Sequence, residues 1–145
     1  MSRFPPHGRL RTTQLDRILV AEHTGPFNLE YWEAAAPKVF PLIESLERTG
    51  PYGLVVLFQK SALSSLEAMD VVIERNRGFA AAHPNCVGVA VAAAPEVEGR
   101  EIMLDQFMRY LQAIGGAPAS TLVCLTLEEA TTFLRERLAG RAHRT

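Results

Sequence analysis

The segment YGLVVLF, residues 52–58, is the most apolar short run in this chain. It has no polar interruption that would mark a solvent-facing side, so we expect other elements to cover both of its faces. Such a run is typical of the middle strand of a parallel sheet with helices on either side. The segment therefore predicts an α/β fold, with residues 54–58 in the central strand.

The chain on the N-terminal side of this strand predicts a hairpin and one long helix. Residues 9–25, RLRTTQLDRILVAEHTG, form two short extended segments around a turn. Asn28 follows a run of turn formers and is a good N-cap, and apolar side chains then recur at steps of three and four over residues 29–46. Because this stripe continues through Pro37 and Pro41, we expect one bent helix rather than two.

The C-terminal side continues the alternation of helix and strand. Helix, strand, helix, strand and helix patterns follow in the order 66–82, 86–94, 102–114, 120–126 and 127–138. Gly88 and the alanines beside it give their strand a low surface that a helix or another chain can approach closely. Thr126 and Glu129 have the T-x-x-E spacing of a capping box, which predicts the start of the last helix.

The element order β-β-α-β-α-β-α-β-α predicts right-handed crossovers and a mixed, mostly parallel sheet. We expect about five strands and four helices in a single domain spanning residues 1–145. The core of that domain is expected to cover roughly residues 9–138.

Composition argues against several classes of partner. The 145-residue chain has 15 basic and 16 acidic residues, so no strong field attracts nucleic acid or an anionic membrane surface. Its start lacks the apolar core of a signal peptide, and no apolar stretch reaches the roughly 18 residues of a membrane span. We therefore expect a cytoplasmic protein with no nucleic-acid partner and no membrane span.

No sequence motif indicates a metal or a cofactor. Cys86 and Cys124 stand in apolar runs rather than in a CxxC or a Cys/His spacing, so we interpret them as small buried side chains. Zinc-protease, Walker and dinucleotide-binding motifs are absent from the sequence. We expect no metal site and no cofactor.

The segment FQKSALSSLEAM, residues 58–69, leads from the central strand into the second helix. Ser64 and Glu67 have the S-x-x-E spacing of a capping box, so helix initiation alone explains this pair. A phosphate on Ser64 or Ser65 would lie beside the helix N-terminus and close to Lys60, and it would change the sign of that face. Capping and phosphorylation are both open interpretations of this loop.

A nucleophilic serine is a third interpretation of the same loop. It needs a base within hydrogen-bond reach and an oxyanion hole, and the G-x-S-x-G signature is absent. Nothing in the local sequence brings His23 or His83 near Ser64. We expect no catalytic residue.

The hairpin, the GPFN that opens the first helix and the segment VVLFQKSALSSLEAM (residues 55–69) together resemble the STAS-like domains. More narrowly, they resemble the SpoIIAA-like branch, small bacterial proteins named after a sporulation anti-sigma-factor antagonist. In those antagonists a partner kinase phosphorylates a serine in an Asp-Ser-Ser/Thr-Gly motif, which the resemblance matches to Ser64 and Ser65. Leu63 and Leu66 replace the aspartate and glycine of that motif. The branch is also similar to Sec14-type lipid-binding domains, which implies a hydrophobic ligand as an alternative.

The adjacent aromatic residues Tyr31 and Trp32 cannot both face the core from one helix. Trp32 shares the apolar stripe and is expected in the core, whereas Tyr31 is expected to line a groove or an interface. His23 ends the second predicted strand, where α/β domains often place ligand loops, although a solvent-exposed histidine is the commoner case there.

The third predicted helix has an apolar face broad enough that Met103, Met108 or Tyr110 is expected to stay exposed after packing on the sheet. Methionines beside aromatic residues suit a dimer contact and a hydrophobic ligand equally well. We expect a homodimer.

These patterns lead to two functional hypotheses. The first is a regulatory or protein-interaction module without catalytic activity, an anti-sigma-antagonist-like switch that acts on a protein partner through Lys60 and the loop from Ser61 to Ser65. The second is a carrier or sensor of a small hydrophobic, lipid-like ligand between the first helix and the sheet.

Overall fold

Strands and helices alternate along the chain. The computed structural model describes residues 4–113 and 121–142. The elements of this part are β1 (Arg9–Leu15), β2 (Ile18–Thr24), α1 (Leu29–Glu47), β3 (Tyr52–Gln59), α2 (Leu66–Arg75), α3 (Phe79–Ala82), β4 (Cys86–Ala93), α4 (Arg100–Ala113), β5 (Thr121–Cys124) and α5 (Leu127–Ala142). They form a single α/β domain, as predicted, in which α3 is only one turn long.

The five strands form one mixed sheet in the order β1-β2-β3-β4-β5. β1 and β2 pair antiparallel as the predicted hairpin, and the other three neighbouring pairs are parallel. The predicted central position of β3 is confirmed, since two strands lie on each side of it. An apolar strand belongs in this position because helices cover both of its faces.

The two faces of the sheet carry different helices. Successive side chains of β3 alternate between the faces, so Leu54 and Phe58 contact residues of α1 and α4. Val55 and Leu57 instead belong to a cluster that contains Ala130 and Leu134 of α5. The domain therefore has three layers, with α1, α2 and α4 on one side of the sheet and α5 on the other.

Small residues let α5 pack closely on the sheet. Ala90 and Ala92 of β4 lie in one buried cluster with Leu134. A Cβ atom added to Gly53 of β3 would lie only 2.9 Å from the Leu134 side chain. The low surface predicted for β4 is confirmed here, because alanines leave room for the helix.

The predicted start and continuity of α1 are confirmed. Asn28 is the N-cap, and its Oδ1 accepts a hydrogen bond of 3.0 Å from the Tyr31 amide. The helix then continues through Pro37 and Pro41 to Glu47. Both prolines are exposed, so the carbonyls that lose an amide partner lie toward the solvent side of the helix.

Two helix boundaries differ from the predicted ones. The helix predicted over 66–82 is wrong as a single element, because α2 ends at Arg75 and α3 begins at Phe79. Asn76 ends α2 by donating from Nδ2 to Val72 O at 2.8 Å, and Gly78 then adopts a left-handed φ of 78° that breaks the helical path. α4 begins at Arg100, two residues before the predicted start, and its predicted GGAP stop lies outside the described residues.

The last helix starts where the Thr126 spacing predicts. The Glu129 amide donates to Thr126 Oγ1 at 3.1 Å, which is the capping bond of α5. The Glu129 carboxylate accepts from the Thr126 hydroxyl, also at 3.1 Å. In a standard capping box this carboxylate accepts from the backbone amide of the N-cap residue, whereas here it accepts from the Thr126 hydroxyl.

Candidate functional site

An apolar cavity of about 160 Å³ lies between α1, α2 and the sheet. The wall from α1 consists of Trp32, Ala35, Ala36, Val39, Phe40 and Ile43. The floor from β2 and β3 includes Leu19, Ala21, His23, Leu54, Val56 and Phe58. The remaining lining residues include Met69, Val72, Arg75 and Asn76 of the α2 region, Phe79 of α3, and Met103 and Tyr110 of α4. Apolar cavities of about 150 Å³ in proteins can bind a molecule of benzene size.

Alternation along β2 and β3 explains which side chains form the floor. Leu19, Ala21 and His23 share one face of β2, because every second residue points the same way. The parallel register sets each of them beside a lining residue of β3, with His23 opposite Phe58. The floor is therefore continuous across two strands.

Alanines in the wall and in the floor account for the empty space of the cavity. Ala21 lies in the middle of β2, and Ala35 and Ala36 lie on the α1 stripe that faces the same cavity. Alanine ends at Cβ, so these positions leave volume that larger side chains in a close-packed core would fill. The cavity therefore results from the small size of these side chains and not from a polar sequence motif.

His23 is the buried polar group of this cavity, with only 5% of its surface exposed. Its Nδ1 lies 2.7 Å from the Tyr31 hydroxyl, which also lies 3.3 Å from the Arg9 carbonyl oxygen. Burial lowers the pKa of His23 to about 4, so the imidazole is neutral near pH 7. Burial also raises the pKa of Tyr31, which keeps its hydroxyl protonated.

Aromatic rings surround the imidazole. The ring centroids of Phe27, Tyr31, Trp32 and Phe58 lie between 5.0 and 6.1 Å from that of His23. Among the described residues, no hydrogen bond is made to its second ring nitrogen, Nε2. The carboxyl end of β2 thus brings one polar atom to an otherwise aromatic end of the cavity.

Arg75 supplies a positive charge at the rim. Its side chain is exposed, and Nη1 donates to Trp32 O over a long 3.4 Å. Among the described residues, Arg77 forms an ion pair with Glu74 and His83 Nε2 lies 2.8 Å from Glu44 Oε1, and neither contact involves Arg75. The two ends of the site therefore differ, with a neutral imidazole inside and a guanidinium outside.

The loop serines have three different environments. Ser61 is 3% exposed, and its hydroxyl donates to Glu98 Oε1 at 2.9 Å. Ser64 is half-buried and accepts from Trp32 Nε1 at 3.0 Å, which ties the loop to the cavity wall. Ser65 is exposed. Lys60 is exposed as well, with a left-handed φ of 62°.

Ser64 is not the N-cap of the second helix, so that prediction is wrong by one residue. Ser65 is the N-cap, and its Oγ accepts from the Ala68 amide at 3.1 Å. Ser64 is unavailable because its hydroxyl bonds Trp32 and its backbone forms a bridge with Phe27. A local S-x-x-E spacing cannot register these non-local partners.

Neither histidine considered as a base hydrogen-bonds a loop serine among the described residues. His23 Nδ1 bonds Tyr31, and the two ring nitrogens of His83 lie 2.9 Å from Phe79 O and 2.8 Å from Glu44 Oε1. The serines and histidines therefore do not form a nucleophile–base pair in this arrangement.

The predicted roles of Tyr31 and Trp32 are reversed. Tyr31 is 3% exposed and belongs to the core, whereas Trp32 is half-buried and lines the cavity. The reason is that the Tyr31 hydroxyl bonds to the β1–β2 hairpin, which fixes the rotation of the first turn of α1. The solvent-exposed alternative for His23 is wrong for the same reason, since Tyr31 and its aromatic neighbours cover the ring.

Two of the residues considered for exposure on the third predicted helix, Met103 and Tyr110, lie against the cavity. Met103 is 4% exposed and lines the cavity, so it is not the exposed residue of the three. Tyr110 is half-buried against the same cavity. The side chain of Met108 lies outside the described residues. Ile102 of the same helix is 57% exposed, and the homodimer stays a prediction.

Sequence reasoning did not identify Ala21, Ala35, Ala36 or Arg75 as site residues. The available signal was the run of three alanines in EAAAP, residues 33–37, on a helix predicted to pack on the sheet. These helix alanines matter because Ala21 of β2 lines the same cavity, and only tertiary packing brings the two elements together.

No family model, curated protein or solved structure matches this chain. The SpoIIAA-like resemblance therefore stays a prediction. In the part of the chain that the structure describes, no helix is both long and apolar enough to cross a bilayer. Within the same ranges, no three His, Cys, Asp or Glu side chains are grouped to hold a metal ion. Cys86 is half-buried, and burial raises the pKa of its thiol to about 11.

Proposed function

We propose that this chain is a non-catalytic binding protein, a carrier or sensor, for a small apolar ligand. The ligand occupies the cavity between α1, α2 and the sheet. The observation that carries the proposal is the cavity of about 160 Å³ with walls made chiefly of alanine, aliphatic and aromatic side chains. Binding sites for small molecules are typically concave and apolar with few polar groups.

The size of the cavity limits the ligand and its affinity. Drug-sized ligands need roughly 300 Å³ or more, so a body of about six to eight carbon atoms is the better match. Burial of each CH₂ group contributes about 0.8 kcal/mol, which gives a gross gain of roughly 5–6 kcal/mol for such a body. The cost of association reduces this gain, so we expect dissociation constants between about 0.1 mM and 1 mM for simple apolar probes.

Trp32 provides a direct test of this proposal, because it is the only tryptophan in the chain and it lines the cavity. Titration with toluene should change Trp32 fluorescence in a saturable way. Native mass spectra of protein isolated from its host should show an added mass that disappears under denaturing conditions.

Matched variants separate cavity binding from surface adsorption. Ala36→Leu places a larger side chain in the cavity. Ala34→Leu adds the same atoms two residues earlier in α1, at a position that does not line the cavity. Saturable binding should disappear in the first variant and persist in the second. An unchanged Trp32 signal in the wild-type protein, together with no added mass, would refute the proposal.

A second candidate function is the SpoIIAA-like phosphorylation switch, with Ser65 as its phosphoacceptor. The exposure of the Ser65 side chain favours this position, whereas Ser61 and Ser64 are committed to Glu98 and Trp32. A phosphate there would lie at the N-terminus of α2, where the helix dipole stabilises negative charge. A protein partner docked on this loop would respond to the change in charge.

Phosphopeptide analysis of the protein from its native host tests the switch. Phosphate on Ser65 would support it. Consistent absence of phosphate on this residue across growth conditions would remove it, and would leave the ligand proposal unaffected.

A further inference from the structure

The aromatic end of the cavity holds one ring nitrogen that no described residue hydrogen-bonds. His23 is 5% exposed and lines the cavity. Its Nδ1 is taken by the Tyr31 hydroxyl at 2.7 Å, whereas Nε2 has no hydrogen-bond partner among the described residues. Among the described residues, the fully buried side-chain atoms without a partner are Tyr52 Oη and Arg137 Nε, so Nε2 of His23 is not sealed in the core. A ring nitrogen without a protein partner in a cavity-lining side chain is available to a hydrogen-bonding group of a ligand.

We propose that Nε2 of His23 is the recognition point for the ligand, which is an uncharged molecule with an apolar body and one hydroxyl group, such as a phenol. This inference rests on the proposed function. The apolar body lies along Ala21, Ala36 and Val56, and the hydroxyl meets the imidazole at the aromatic end of the cavity.

Burial excludes a charged group at this position. An ion there would lose its hydration without gaining a counter-ion, because burial keeps His23 neutral with a pKa of about 4. The guanidinium of Arg75 is at the rim and its side chain is exposed. An anionic head group would therefore bind at the rim, and an uncharged one at His23.

The hydrogen-bond geometry favours a hydroxyl over other uncharged groups. The Tyr31 hydroxyl can donate to His23 Nδ1 or to the Arg9 carbonyl oxygen, at 2.7 and 3.3 Å respectively. The first choice makes Nε2 a donor, and the second makes it an acceptor. A hydroxyl both donates and accepts, so it pairs with either tautomer, whereas a carbonyl pairs with only one.

The test compares phenol with toluene, which have nearly the same shape and differ in the hydroxyl. Trp32 fluorescence gives both dissociation constants for the wild-type protein and for His23→Phe, which keeps an aromatic ring but removes both nitrogens. The preference for phenol over toluene should fall roughly threefold to tenfold in His23→Phe, as expected for one net hydrogen bond. Tyr31→Phe keeps Nε2 and should retain the preference within about twofold.

A second measurement observes ligand binding in the wild-type protein itself. In wild-type protein labelled with ¹⁵N in its histidine rings, the Nε2 resonance of His23 should shift when phenol binds and not when toluene binds. Assignment follows from the pattern in the Tyr31→Phe variant, in which Nδ1 loses its partner and its own resonance moves.

The outcomes distinguish this inference from the function on which it rests. If both probes bind, but the preference is the same in His23→Phe and Nε2 does not respond, the hydroxyl inference is overturned and the cavity proposal stands. If neither probe binds, both fail. If benzoate binds more tightly than phenol and Arg75→Gln removes that binding, the ligand is an anion at the rim and the inference is overturned.

Discussion

At the scale of single residues, His23 shows how a buried titratable group links this fold to pH. Its imidazole lies among aromatic rings and keeps a single hydrogen bond, to Tyr31. Burial disfavours the protonated form, which is why the pKa falls to about 4 in the folded chain. The unfolded chain has no such penalty, and its histidine titrates near pH 6.5.

We expect the free energy of unfolding to decrease as pH falls from 6.5 to 4. The unfolded state binds the extra proton in this interval and the folded state does not, so the stability present above pH 6.5 is lost toward pH 4. The loss due to His23 is roughly 3 kcal/mol. Urea unfolding at a series of pH values measures it.

His23→Gln is the control for this pH dependence, because glutamine keeps a polar side chain that does not titrate. The variant should show a shallower decline between pH 6.5 and pH 4. All other titratable side chains are the same in both proteins, so the difference between the two slopes belongs to His23. Identical slopes in the two proteins would show that His23 is not the group responsible.

At the scale of elements, α1 and α2 are connected near the start of each helix and leave a cavity farther along. The hydrogen bond from Trp32 to Ser64 joins α1 to the segment that precedes α2. Beyond this hydrogen bond along α1, Ala35 and Ala36 leave space above β2. The cavity therefore results from small side chains in firmly connected elements.

The start of α2 is predicted to depend on Ser65. Ser65→Ala should lower the free energy of unfolding by about 1 kcal/mol, because the Ala68 amide loses its acceptor. Ser65→Asp should lose only a few tenths of that, since aspartate is an equally good N-cap. Urea unfolding of the two variants is the measurement, and equal losses would contradict the capping role.

Ala36→Leu is predicted to fill the cavity with little loss of stability. Added carbon atoms destabilise a close-packed core by about 1–3 kcal/mol, but here they enter existing space. The free energy of unfolding should stay within about 1 kcal/mol of the wild-type value. A loss of 3 kcal/mol or more, measured by urea unfolding, would mean that this part of α1 is already tightly packed.

At the scale of the whole molecule, the two faces of the sheet differ in packing. The α5 face is tight, because Gly53 and Ala90 allow Leu134 to approach the strands. The opposite face carries α1, α2 and α4 over the cavity. A ligand bound on that face is linked to global stability, because it binds the folded state alone.

Toluene at about ten times its dissociation constant should raise the melting temperature by roughly 3–6 °C. This shift corresponds to a stabilisation of about 1.4 kcal/mol, obtained from the binding linkage. Scanning calorimetry in sealed cells measures it. Ala36→Leu should show almost no shift at the same concentration, and an equal shift in both proteins would place the bound probe outside the cavity.

The sequence by itself determined the α/β class, the hairpin, the central position of β3 and the caps at Asn28 and Thr126. These features follow from local rules, since an apolar run needs cover on both faces and a cap bonds an amide three residues away. Tertiary structure alone decided the inward rotation of Tyr31, the burial of His23 and the choice of Ser65 over Ser64 as the cap. It also created the cavity, because the distance between Ala21 and Ala36 depends on how α1 is held above the sheet by contacts far apart in the chain.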